Sequence, residues 1–113
     1  MQVPVDITFR GMEPSQAVDA AVRHCVERLH TSPRVLRCDV VIELPHHSQR
    51  HGQAFHVRID LAVPGRTISV SRDAGHDLSH ADVYVAIAHA FRAARRQLQD
   101  LADIQRGDVK LHA

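Results

Sequence analysis

The period of the apolar residues changes from two to about 3.6 and back along this chain, and that switching constrains the fold more than any single motif. Residues 2–10 alternate, with Val3, Val5, Ile7 and Phe9 on one side and Gln2, Asp6, Thr8 and Arg10 on the other, as a half-buried strand requires. Gly11 ends the run. From Ser15 to His30 the spacing becomes helical, with Val18, Ala21, Val22, Cys25, Val26 and Leu29 on one stripe. Ser15 is placed to cap the helix, and Thr31-Ser32-Pro33 to stop it. Alternation returns with Leu36, Cys38, Val40, Ile42 and Leu44 facing one way. A third strand carries Phe55, Val57, Ile59, Leu61 and Val63 inward, and a fourth, Arg66 to Ser71, carries Ile68 and Val70. Pro64-Gly65 between them is a two-residue turn signal. Ser79-His80-Ala81-Asp82 has the form of a capping box. It opens a helix from about Ala81 to Ile104 with Tyr84, Ile87, Phe91, Ala94, Leu98 and Leu101 on its apolar stripe.

The order is therefore β-α-β-β-β-α. Each strand has one apolar face, so the sheet needs cover on one side only, and two amphipathic helices supply it. The expected fold is an α+β two-layer sandwich, a four-stranded mixed sheet with two helices on one face. The first crossover makes strands one and two parallel, and strands two to four form an antiparallel meander. Residues 1–106 read as a single domain and 107–113 as a frayed tail.

Composition narrows the function. At 113 residues, with 44% hydrophobic and 24% charged, the chain has the balance of an ordinary globular protein. No apolar run approaches the roughly 20 residues that span a bilayer, and the first residues lack the basic and apolar regions of a secretory signal. The expectation is a cytoplasmic protein without a membrane partner. The net charge is only +1, yet thirteen of the fourteen basic residues are Arg, whose planar fork suits phosphate. Arg92, Arg95 and Arg96, with His89, fall on the polar side of the last helix, and Arg23 and Arg28 on the outer side of the first. Side-by-side helices bring these groups to one groove, a surface suited to the phosphates bordering the shallow minor groove of A-form RNA. Phe9, Phe55 and Phe91 all fall on inward positions, leaving no aromatic platform for base stacking on an open sheet.

The ten histidines are the second constellation. His46, His47, His51 and His56 cluster in and beside the unpatterned stretch from Pro45 to Gln53, and imidazoles are ligands for zinc, copper and nickel. A structural zinc site usually adds cysteine on rigid spacing. Cys25 and Cys38 both fall on apolar stripes, so the metal reading stays secondary and no cofactor is expected. A metal-responsive or other interaction module on the same scaffold, using this His-rich loop, is the alternative reading. No P-loop, G-x-S-x-G or G-x-G-x-x-G is present, and the acids fall mainly on outward strand and helix positions, where desolvation tunes them little. An enzyme is not expected.

Asp82-Val83-Tyr84-Val85-Ala86-Ile87, followed by Arg96-Gln97-Leu98, resembles the opening and the Arg/Lys-Gln-Leu/Ile step of the last helix in the ribosome hibernation-promoting factor family. That family is also called ribosome-associated inhibitor or sigma-factor modulation proteins. The Met12-to-Leu29 pattern and Val40-Val41-Ile42-Glu43 support the resemblance, which spans about residues 3 to 100. It implies a short-form, cytoplasmic factor that docks on the small ribosomal subunit and its rRNA. There it would occupy the path of mRNA and tRNA and halt translation in stress or stationary phase. A monomer or weak dimer that does not bind DNA is expected. Arg28 and Arg96 match basic family positions. The chain departs from the family where a lysine-rich helix end is usual: residues 99–105 hold Asp100 and Asp103 and no base precedes Arg106.

Overall fold

The strand Val5–Arg10 (β1) leads into the helix Gln16–Glu27 (α1), and Arg37–Glu43 (β2) returns beside β1. His56–Val63 (β3), Arg66–Asp73 (β4) and the long helix His80–Gln105 (α2) complete the order in this computed structural model, which describes residues 3–29, 35–44, 55–73 and 80–105. The sheet order is β1-β2-β3-β4, with β1 and β2 parallel and the other neighbours antiparallel. This is the expected α+β sandwich. The hairpin between β3 and β4 turns at Pro64-Gly65, where Gly65 takes φ +86°, a region that a Cβ disfavours.

One apolar core holds the layers together. Cys38, Val40 and Ile42 of β2, Val57, Ile59 and Leu61 of β3, and Ile68 and Val70 of β4 supply the sheet side. Val18, Val22 and Val26 of α1 and Val83, Ile87, Phe91, Ala94 and Leu98 of α2 supply the helical side. Among the described residues no polar or charged side chain is buried, so packing and the hydrophobic effect carry the stability. α2 lies over β3 and β4, with α1 beside it and only lightly touching β1. Ser15 caps α1 as the sequence suggests, its hydroxyl accepting from the Val18 amide at 3.2 Å. The Ser79 capping box and the 107–113 tail lie outside the described residues.

Four sequence expectations need correction. Leu36 is 41% exposed and Val35 takes the buried place, because β2 begins at Arg37 and the alternation does not extend back through residue 36. α1 ends at Glu27, earlier than Thr31-Ser32-Pro33, with the Arg28 and Leu29 amides tightening the last turn onto Cys25 and Val26 carbonyls. Tyr84 is exposed, since the buried stripe of α2 enters through Val83 and then Ala86 and Ile87; residue 84 lies about 100° round the helix from Val83. Cys25 is only half-buried, at the margin between the two helices, whereas Cys38 is fully buried.

Candidate nucleic-acid interface

α2 buries a stripe made narrow by alanines at 86, 90, 94 and 102, which leaves its remaining faces to polar residues. On those faces Ala88, Arg92 and Arg95 recur at steps of four and three toward α1, and His89, Arg92 and Arg96 at steps of three and four toward β4. Arg92 stands on the ridge between them. On the α1 side an open groove runs between the helices, lined by Arg28 and by Arg92 and Arg95, with Cys25, Leu29 and Phe91 as its less polar part. On the other side Arg72 of β4 joins His89, Arg92 and Arg96 around a second cleft.

The side-by-side packing thus brings Arg28, Arg92 and Arg95 together, and Arg96 and His89 with Arg72 on the far side of the same ridge. Arg23 does not join them. It is held by an i,i+4 ion pair to Asp19 at 2.6 Å on the exposed side of α1. Arg72 is absent from the sequence-based set because that reading ends the fourth strand at Ser71. The period-two signal identifies it once the strand is continued, since Arg66, Ile68, Val70 and Arg72 share the helix-facing side.

Among the described residues, none of Arg28, Arg92, Arg95 and Arg96 has a carboxylate within ion-pair distance. Like charges three and four residues apart on a helix cost a few tenths of a kcal/mol per pair. A bound anion relieves that repulsion. Burial raises the Cys25 thiol above its ordinary pKa, while the charges of Arg28 and Arg95 pull the other way.

The other face of the sheet is charged in a different manner. Asp6, Asp39 and Asp60 lie in register across β1, β2 and β3, and each has a donor. Arg37 reaches both Asp6 and Asp39, the latter at 3.0 Å, and Arg58 and the Ser69 hydroxyl reach Asp60 at 3.3 and 2.6 Å. The Asp39 hydrogen bond, reinforced by the charges of Asp39 and Asp6, raises Arg37 further above its already high pKa. This face has no surplus of positive charge to offer.

Of the metal candidates, His46, His47 and His51 lie outside the described residues. His56 opens β3 on the open face of the sheet, half-exposed. Among the described residues no group of three or more His, Cys, Asp or Glu is placed to hold a metal ion, and none of their helices is long and apolar enough to cross a membrane.

The chain is an α+β sandwich of βαβββα order, and its helical layer carries an arginine ridge with no ion pair among the described residues. Comparison with known proteins is more specific. The family model described as Sigma 54 modulation protein / S30EA ribosomal protein matches residues 5–106, and the chain belongs to that family. Among solved structures it is similar to a ribosomal subunit interface protein from Coxiella burnetii, at 14% identity and TM-score 0.71, covering 88% of this chain and 98% of that one. It is also similar to the N-terminal domain of Protein Y from Thermus thermophilus, at 21% identity and TM-score 0.67, covering 89% and 99%. At these identities the likeness speaks for the fold. No curated protein matches the sequence.

Proposed function

We propose that this protein binds the small ribosomal subunit in the mRNA and tRNA channel and suppresses translation under stress or stationary phase, acting as a steric plug. The observation that carries the reading is the ridge of α2. Among the described residues Arg92, Arg95 and Arg96 have no carboxylate partner there, with Arg28 across one groove and Arg72 across the other. Family membership and the two structural neighbours, one of them a ribosomal subunit interface protein, support a ribosomal partner. Guanidinium groups on both sides of a helix suit phosphates on two neighbouring tracks of an RNA surface, read by shape and charge without base stacking.

The test joins cosedimentation with purified small subunits to a cell-free translation assay. Binding that persists at physiological salt, together with translation inhibited in step with occupancy, is the expected result. Binding without inhibition contradicts the plug, and no binding at physiological salt contradicts the ribosomal partner.

A further inference from the structure

The two edges of the sheet differ. β4 is covered by α2, and Ile68 and Val70 are buried beneath it. Pairing β4 antiparallel with a second β4 also opposes Arg72 to Arg66 or to Ile68 of the second copy in the two central registers. Edge strands guarded in this way resist association. Among the described residues β1 has no such guard. Its core-side residues Val5, Ile7 and Phe9 remain half-buried, and among the described residues no strand lies on its outer side.

The backbone parity of β1 is fixed by its pairing with β2. The Cys38 amide donates to the Pro4 carbonyl at 3.0 Å and the Leu44 amide to the Arg10 carbonyl at 2.9 Å. In a parallel pair every second residue directs both its N–H and its C=O to the neighbour. Residues 4, 6, 8 and 10 therefore face β2, while Val5, Ile7 and Phe9 present their amides and carbonyls at the open edge. Those are the groups that a further strand uses.

We propose that β1 is an interface with a second copy of this chain, the two β1 strands pairing antiparallel about a two-fold axis at Thr8 to give a continuous eight-stranded sheet. The sequence of the strand is self-complementary in this register. On the open face Asp6 stands opposite Arg10 of the second copy, and Arg10 opposite its Asp6, with the two Thr8 side chains between them. On the core face Ile7 meets Phe9 of the second copy, and Phe9 its Ile7, so the half-buried apolar row of each copy is covered by the other. Hydrogen-bonded pairs form between Ile7 and Phe9 in both directions, which matches the parity of the open edge. Asp6 and Arg10 are both exposed; among the described residues Arg10 has no ion pair, while Asp6 is shared with Arg37 of its own copy. The arginine ridge of each copy stays uncovered, because it lies between α1 and β4 and away from β1.

Charge-swapped variants of the full chain test this. Asp6→Arg and Arg10→Asp each place like charges opposite one another twice in a homodimer, whereas mixing the two variants restores both opposite-charge pairs. In sedimentation equilibrium the unmodified chain should show a reversible monomer–dimer equilibrium. Each variant alone should dimerise about tenfold more weakly, and the equimolar mixture should recover the original affinity. Thr8→Cys, at a non-hydrogen-bonded pair with Cα atoms about 4.5 Å apart, should form a disulfide-linked dimer on mild oxidation. Ser71→Cys on β4 should not. A wild-type chain monomeric at all concentrations overturns the proposal, as do variants that dimerise like wild type or a mixture no tighter than its parts. Should either charge variant fail to fold, the Thr8→Cys cross-link decides alone, and its absence overturns the proposal.

Discussion

Arginines stand on both layers of this protein, and they are spent differently. On the open face of the sheet Arg37 and Arg58 are each tied to aspartates two residues away on the same strand, and Arg37 also reaches Asp6 on the neighbouring one. On the helical layer Arg28, Arg92, Arg95 and Arg96 have no such partners among the described residues. The reason lies in the alternation. Period two puts Arg37 beside Asp39 and Arg58 beside Asp60 on one face, whereas the acids of α2 fall at its two ends, Asp82 at the start and Asp100 and Asp103 near the finish. Exposed pairs contribute little to stability, so the sheet face is neutralised without being rigidly locked. The contrast separates a surface where most arginines pair internally from one whose arginines, among the described residues, do not.

The largest effect should come from reversing the ridge. Arg92→Glu, Arg95→Glu and Arg96→Glu together are expected to lower small-subunit affinity about a thousandfold, three charge-assisted contacts being exchanged for repulsion. Arg58→Glu on the sheet face should change it by less than about twofold. Equal losses from the two faces, measured by cosedimentation, would erase the distinction drawn here.

A smaller effect divides arginines within the helical side. Arg72→Ala should reduce the slope of log affinity against log salt by about 0.7 to 0.9, the signature of one lost phosphate contact. Arg23→Ala, whose guanidinium is occupied by Asp19, should leave the slope nearly unchanged. A reversal of that order would move the RNA surface to the outer side of α1.

The smallest effect concerns the core that holds both layers. Burial, followed by the charges of Asp39 and Asp60, pushes the Cys38 thiol up to about 12, above the roughly 8.5 of an unfolded cysteine. The folded state therefore holds this proton more tightly. Its contribution to stability is complete below about pH 8.5 and is lost as pH rises toward 12. Urea midpoints should fall between pH 8 and 10.5, and Cys38→Ala, though less stable throughout, should show a shallower fall. An unchanged slope would mean that other groups control the alkaline limb.

The element order and strand pairing are legible in the sequence because each strand alternates cleanly and each helix carries one apolar stripe, so few arrangements bury both. The failures are local. Leu36 and Tyr84 are apolar residues just outside a buried run, where periodicity continues on paper after the backbone has changed course. The site is partly legible. Helical spacing gathers His89, Arg92, Arg95 and Arg96, and the packing of α1 against α2 adds Arg28. Arg23 looks equivalent to Arg28 until its position four residues after Asp19 is weighed. Arg72 needed one more residue of strand.

The most direct measurement is the salt dependence of binding to isolated small subunits, for the wild type and for the Arg92/Arg95/Arg96 triple reversal. Four or five phosphate contacts give a log–log slope of roughly −3 to −4, and the account requires that slope to flatten sharply in the triple variant. A wild-type slope near zero, or a triple variant as steep as the wild type, would contradict the claim that the arginine ridge of α2 is the RNA-binding surface.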